Sequence, residues 1–277
     1  MLDWGGTGRP VVLLTGSGNT AHVFDDFAPK LADCCHVYAI TRRGFGLSSH
    51  PESGYDDQRL ADDVFEVLNA LQIQSPVLVG HSMAGSELTT VATQHSDRLS
   101  GLIYLDAGSD PADFPWSDPA YRAAVEKIPP PAPDPRLKAL EVNRKKSYVD
   151  FRAWQWATTG FAFCEAEVRN AYEINADGSI GAFRTPKRVP DAIDAGTKKR
   201  DYSKIGVPVL AFFAPPLPAA NESYSILMTY VHRYENSLRS AVPGARILEF
   251  PGANHYVYLS NESDVLREIH AFVAALR

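Results

Sequence analysis

Val77-Leu78-Val79-Gly80-His81-Ser82-Met83-Ala84-Gly85 runs from an unbroken apolar stretch into a serine flanked by small residues. A short apolar run of this kind suits a strand covered on both faces. Beyond it, Leu88, Val91 and Ala92 recur at helical steps. A serine at a sharp strand-to-helix turn is pushed above the sheet edge. There its Oγ can meet a base and a substrate, while the next backbone N–H points at a developing oxyanion. Such a turn is strained and leaves no room for bulk, which Gly80, Ala84 and Gly85 respect. The plain alternative is a serine that caps a helix. G-x-S-x-A is short enough to arise by chance; its place between a strand and a helix gives it weight.

Outward from this turn the same alternation continues. Pro10–Leu14, His36–Ile40, Pro76–Gly80 and Gly101–Leu105 are short apolar runs, each ending in a Gly, Ser, Arg or Asp-rich turn. Between the second and third, Leu60, Val64, Val67, Leu68 and Leu71 repeat with helical period behind Asp56-Asp57, which suit a helix N-terminus. Strand-helix alternation implies right-handed crossovers and an open, mostly parallel sheet, an α/β fold. From Asp110 to about Lys204 the alternation stops. Prolines 111, 115 and 119, the cluster 129–131, 133 and 135, and aromatics from Phe151 to Tyr172 predict an irregular helical insertion. It resumes with Val207–Phe213, a helix over about Glu222–Ala241, a strand Arg246–Phe250 and a last helix from Glu262.

Composition narrows the function. The 277 residues carry 27 Lys+Arg against 33 Asp+Glu, a net charge of −6, with 45% apolar and 10% aromatic residues. That supports a large core and excludes a disordered or coiled-coil chain. An acidic balance without a basic stripe argues against nucleic acid as partner, and no apolar run reaches the length of a membrane span. Cys34, Cys35 and Cys164 form neither a disulfide framework nor a zinc motif; they read as small buried hydrophobes in a reducing compartment. The N-terminus lacks the charged and apolar regions of a signal peptide. A cytoplasmic protein is expected, with a trimmed secretory precursor as the alternative and a homodimer as the oligomer left open.

With these motifs in hand, the chain resembles the α/β-hydrolase superfamily, in particular its cap-bearing esterase and haloalkane dehalogenase-like branch. The resemblance covers about Leu2–Gly108 and Val207–Arg277. It implies a core of residues 1–109 and 205–277, with 110–204 as a helical cap. It also makes Ser82 the nucleophile. His255, in Phe250-Pro251-Gly252-Ala253-Asn254-His255-Tyr256, lies where such proteins carry the general base, and the order Ser…His fits. Thr15-Gly16-Ser17-Gly18-Asn19 stands where His-Gly-x-Pro is usual, so the oxyanion donors implied are the backbone N–H groups of Ser17 and Met83. His81 reads as support for the turn, and Arg42-Arg43 as a structural loop.

The acid that must orient the base is less plain. The loop after Val207–Phe213 has no aspartate, and its first carboxylate is Glu222, behind three prolines. Asp106 ends the preceding strand, 24 residues after Ser82, a spacing that part of the dehalogenase branch uses for its acid. Asp106 is the choice; Glu222, and more remotely Asp110 and Asp113, are the alternatives. Dehalogenases and epoxide hydrolases attack with an aspartate, because a serine alkyl ether would be a dead end. A serine therefore points to acyl chemistry.

The function expected is hydrolysis of a small-molecule carboxylic ester, a lactone or bulky natural-product ester included. Trp154, Phe161 and Phe163 would line an apolar pocket, or pack the insertion onto the core. No metal cluster or phosphate-binding loop occurs, so no cofactor is implied. Two rivals keep the fold: the same triad used for C–C bond hydrolysis or cofactor-free perhydrolysis, and a non-enzymatic ligand receptor.

Overall fold

A computed structural model describes residues 1–110, 114–130 and 132–276. Its strands are β1 (Leu2–Gly5), β2 (Arg9–Leu14), β3 (Cys35–Ile40), β4 (Val77–His81) and β5 (Gly101–Leu105), then the hairpin β6 (Tyr172–Ile174) and β7 (Ile180–Phe183), and finally β8 (Val209–Phe213) and β9 (Arg246–Glu249). Seven of them form one sheet in the order β1-β3-β2-β4-β5-β8-β9. Only the β1–β3 pair is antiparallel; every other neighbour pair is parallel.

Period-two alternation splits the strands between two cores. Val12, Leu14, Leu78, Leu102, Val209 and Ala211 face α1 (Asp57–Ala70), α2 (Ala84–His95) and α8 (Glu222–Ala241). Val11, Leu13, Val79, Ile103, Leu210 and Phe212 face Phe24, Phe27 and the last helices, α9 (Val257–Ser260) and α10 (Glu262–Ala275). Burial on both faces is why the runs are apolar throughout instead of alternating. Full burial of each such side chain contributes about 1.5–3 kcal/mol. Capping sets the helix starts: the Asp56 carboxylate accepts the Arg59 N–H at 3.1 Å at the head of α1.

The insertion holds α3 (Pro119–Glu126), α4 (Pro135–Asn143), α5 (Tyr148–Thr159), α6 (Glu165–Ala171) and α7 (Arg188–Gly196). It is not wholly helical: β6 and β7 pair as an antiparallel hairpin between α6 and α7. A turn at Asp177-Gly178, with Gly178 at φ 84°, closes it, and the Asp-Gly pair is the local sequence signal for such a hairpin. Pro119 and Pro135 open α3 and α4, where a missing N–H costs nothing. Pro111, Asp113 and Pro131 lie outside the described residues. Near its end the insertion packs on the core, with Tyr202 buried among the residues of the first core. Of the cysteines, Cys35 is buried as expected, Cys164 only partly, while Cys34 is exposed. Among the described residues no helix is long and apolar enough to cross a membrane.

Candidate active site

Four described non-glycine residues have positive φ, and two of them, Ser82 at 56° and Asp106 at 46°, directly follow the neighbouring strands β4 and β5. Left-handed backbone is unfavourable for such residues and persists only where surroundings enforce it. Here the Ser82 N–H donates to the Leu105 carbonyl and the Asp106 N–H to the Phe212 carbonyl, extending the parallel ladder beyond the last regular residue. Gly85 is required by packing, because a Cβ there would lie 2.0 Å from the Ala107 carbonyl oxygen. The two turns are thus wedged together, and both side chains stand at one sheet edge.

His255 arrives from the loop after β9. Its Nδ1 lies 2.6 Å from Asp106 Oδ2, while Asp106 Oδ1 accepts the Ala214 N–H at 3.1 Å. With Nδ1–H given to the carboxylate, Nε2 keeps its lone pair for a proton. The His255 side chain is half exposed and that of Asp106 less than a quarter. Ser82 Oγ makes no hydrogen bond among the described residues; such contacts are often loose in a resting site and tighten on substrate. Glu222 lies elsewhere, on the surface, with its carboxylate 2.7 Å from Lys127 Nζ. Asp110 accepts the Arg200 N–H at 3.4 Å.

His81 joins these parts. Its ring is buried, and Nε2–H donates to the His255 carbonyl at 3.0 Å. The ring lies against those of His255 and Tyr256, with centroids 4.7 and 4.6 Å away. Gly16 is pressed onto its other edge: a Cβ at Gly16 would sit 2.6 Å from His81 Nδ1 and 3.3 Å from Ser82 Cβ. That approach brings the Thr15–Asn19 loop beside the serine. His81 Nδ1 is buried without a partner, and burial, helped by the neighbouring His255, pushes the imidazole down to about 3. The ring is therefore a neutral spacer.

The Thr15–Asn19 loop is held by residues that local sequence does not reveal. Arg42, buried, donates through Nη2 to the Thr15 carbonyl at 2.8 Å and to Glu87 Oε2 at 2.9 Å. Glu87 lies on α2, and burial pushes its carboxyl up against the pull of Arg42. Glu167 of α6, 1% exposed, accepts from the Thr20 N–H at 3.0 Å, the Thr20 hydroxyl at 2.5 Å and the Asn19 amide at 3.1 Å. Asn19 Oδ1 in turn accepts the Tyr256 hydroxyl at 3.0 Å. One carboxylate of the insertion thus ties together this loop and the histidine loop. Arg200 closes the remaining side, donating to the Ala107 carbonyl, with the Tyr202 hydroxyl on the Gly108 carbonyl.

Ser17 and Met83 both line a cavity of about 70 Å³. A larger one, about 260 Å³, opens beside Asp106 and His255, with Phe114, Trp116, Tyr121, Leu227 and Val231 in its wall. Phe161 and Phe163 do not line it; they pack on Tyr256, at ring distances of 4.9 and 5.2 Å. Trp154 meets Phe151 at a tilt of 49°, with centroids 5.5 Å apart, beneath the Arg144 guanidinium. Among the described residues no three His, Cys, Asp or Glu side chains gather as metal ligands.

Known proteins similar to this chain identify its family. A 2-(acetamidomethylene)succinate hydrolase of Mesorhizobium japonicum is 30% identical over 101 residues, 36% of this chain and 36% of that protein. The chain thus aligns with little more than a third of that relative's length. The sn-1-specific diacylglycerol lipase of Xenopus tropicalis is 26% identical over 99% of this chain and 80% of its own. A solved structure described as a marine microorganism esterase superposes with a TM-score of 0.68 at 20% identity, covering 98% of this chain and 97% of that one. The profile of the alpha/beta hydrolase family matches residues 11–269, from the second strand to the last helix. With the strand-end site lying inside that span, the chain belongs to the alpha/beta hydrolase family.

Proposed function

We propose that this hydrolase is a serine esterase acting on carboxylic esters through Ser82, His255 and Asp106. The observation that carries the reading is the Asp106–His255 hydrogen bond at 2.6 Å, formed beside a strained serine at the end of the adjoining strand. His255 Nε2 takes the Ser82 proton as Oγ bonds to the ester carbonyl, and the carbonyl π electrons move onto oxygen. The backbone N–H groups of Ser17 and Met83 hold that oxyanion. Collapse breaks the C–O bond to the alcohol, which leaves with the proton from His255. Water, deprotonated by His255, then attacks the acyl-serine and frees the acid and Ser82. Asp106 keeps its own charge throughout and holds the ring in one tautomer. No step needs a cofactor. Residues 110–204 act as a cap over a core of 1–109 and 205–277. The full-length likeness to a lipase supports ester chemistry.

A fluorophosphonate probe tests this. Wild type labels covalently and hydrolyses p-nitrophenyl acetate; Ser82→Ala does neither. Hydrolysis that survives in Ser82→Ala would overturn the reading.

A further inference from the structure

We infer that the 260 Å³ cavity beside His255 and Asp106 receives the alcohol portion of the ester, and that the substrate class is esters of bulky, uncharged, largely apolar alcohols. The inference rests on the serine-esterase reading and deepens it.

The direction follows from where the proton goes. His255 must return its proton to the leaving oxygen, so that oxygen lies within hydrogen-bond reach of Nε2. The oxyanion must lie at Ser17 and Met83 instead. Those two residues line the 70 Å³ cavity, whereas His255 and Asp106 line the 260 Å³ one. The leaving oxygen therefore lies on the side of the 260 Å³ cavity, while the oxyanion, which carries no substituent, asks for no room of its own. The cavity on the leaving-group side, about 260 Å³, has room for bulk. A fused pair of rings suits such a volume.

The chemical class follows from the wall. Apart from Asp106 and His255, the described lining carries no charged side chain. An ionised alcohol moiety would lose its hydration there without a partner, while an apolar one gains by burial. Trp116 and Tyr121 meet edge to face at 5.1 Å, offering ring surface. Pro115, Pro215 and Pro216 stiffen the walls. At the mouth, Trp116 and Phe114 remain 55% and 39% exposed, and clustered exposed aromatics mark a binding surface.

The test pairs two esters with the same rings reversed: naphthyl acetate, bulky in the alcohol, and vinyl naphthoate, bulky in the acyl part. Val231→Trp fills the cavity from α8. The expected result is a fall of about tenfold or more in the ratio of kcat/KM for naphthyl acetate over vinyl naphthoate, mainly through KM. Tyr121→Ala, which enlarges the cavity, should shift the same ratio the other way for an anthracenylmethyl acetate and anthracenyl vinyl ester pair. Melting temperatures report whether each variant folds. A ratio that rises in Val231→Trp would make the cavity an acyl pocket, and an unchanged ratio in both variants would remove it from the substrate path. Either result overturns the inference while fluorophosphonate labelling of Ser82 keeps the esterase reading. Absence of both labelling and ester turnover in wild type overturns both.

Discussion

The turns at the ends of β4 and β5 and the insertion between β5 and β8 differ in how many neighbours fix each residue. Strand residues such as Leu78, Val79, Ile103 and Leu105 have no exposed surface, and Ser82 and Asp106 are held in left-handed backbone by ladder bonds and close packing. In the insertion, α4 buries no residue, and Val142, Val149 and Trp156 are mostly exposed. The insertion is joined to the site by polar ties, chiefly Glu167 and Arg200, and by apolar packing of Phe161 and Phe163 on Tyr256 and of Val189 and Ile193 with Phe45, Tyr55 and Leu60. The proposed chemistry therefore sits where geometry is over-determined, and the proposed specificity partly on the insertion, where Phe114 and Trp116 stay exposed. That is a physical reason for one scaffold to keep a reaction while its substrates change.

Breaking the over-determined side should cost most. Arg42→Met leaves Glu87 buried without its cation and the Thr15 carbonyl without its donor. A loss of about 3–5 kcal/mol is expected, read from urea denaturation. A loss under about 1 kcal/mol would mean the pair does not brace the loop.

The His81 spacer sets an acid limit. In the unfolded chain it takes a proton near 6.5, in the folded one only near 3. Between those values the unfolded state binds more protons, so stability is complete above 6.5 and declines as pH falls, by at most about 1.4 kcal/mol per pH unit. His81→Gln should flatten that part of the profile measured by denaturation at successive pH values. An unaltered slope would move its origin to other groups.

On the insertion side, Glu167→Gln removes charge from three hydrogen bonds to Asn19 and Thr20. About 2 kcal/mol of local stability should go, visible as faster amide exchange in α6 and the Gly16–Thr20 loop with β4 and β5 unchanged. Uniform acceleration across the sheet would erase the contrast between the two regions. Smallest of all, Val142→Lys on exposed α4 should shift stability by no more than about 0.5 kcal/mol. A larger loss would show that this face is covered.

The same divide governs what could be read from sequence. Buried strands announce themselves as apolar runs, and Ser82, Asp106 and His255 each follow a strand, so the α/β fold and its candidate residues are legible in local pattern. Glu167 is not: its partners are 147 and 148 residues away, and nothing around it marks a buried carboxylate. The Arg42–Glu87 pair is hidden in the same way, although Arg42 reads as structural. Aromatic content drew attention to Trp154, Phe161 and Phe163, but composition does not tell which face of a loop or helix a ring takes. Phe114, Trp116 and Tyr121 line the cavity instead. Between Asp106 and Glu222 spacing left both open, and only the fold shows that Asp106 meets His255 while Glu222 meets Lys127.

That contact is the centre of the account, and kcat/KM for p-nitrophenyl acetate in Asp106→Asn and Glu222→Gln tests it most directly. Asp106→Asn should fall by about 10⁴-fold, since the amide cannot hold the imidazole in its working tautomer, with Glu222→Gln within about twofold of wild type. A collapse in Glu222→Gln with Asp106→Asn intact would contradict it.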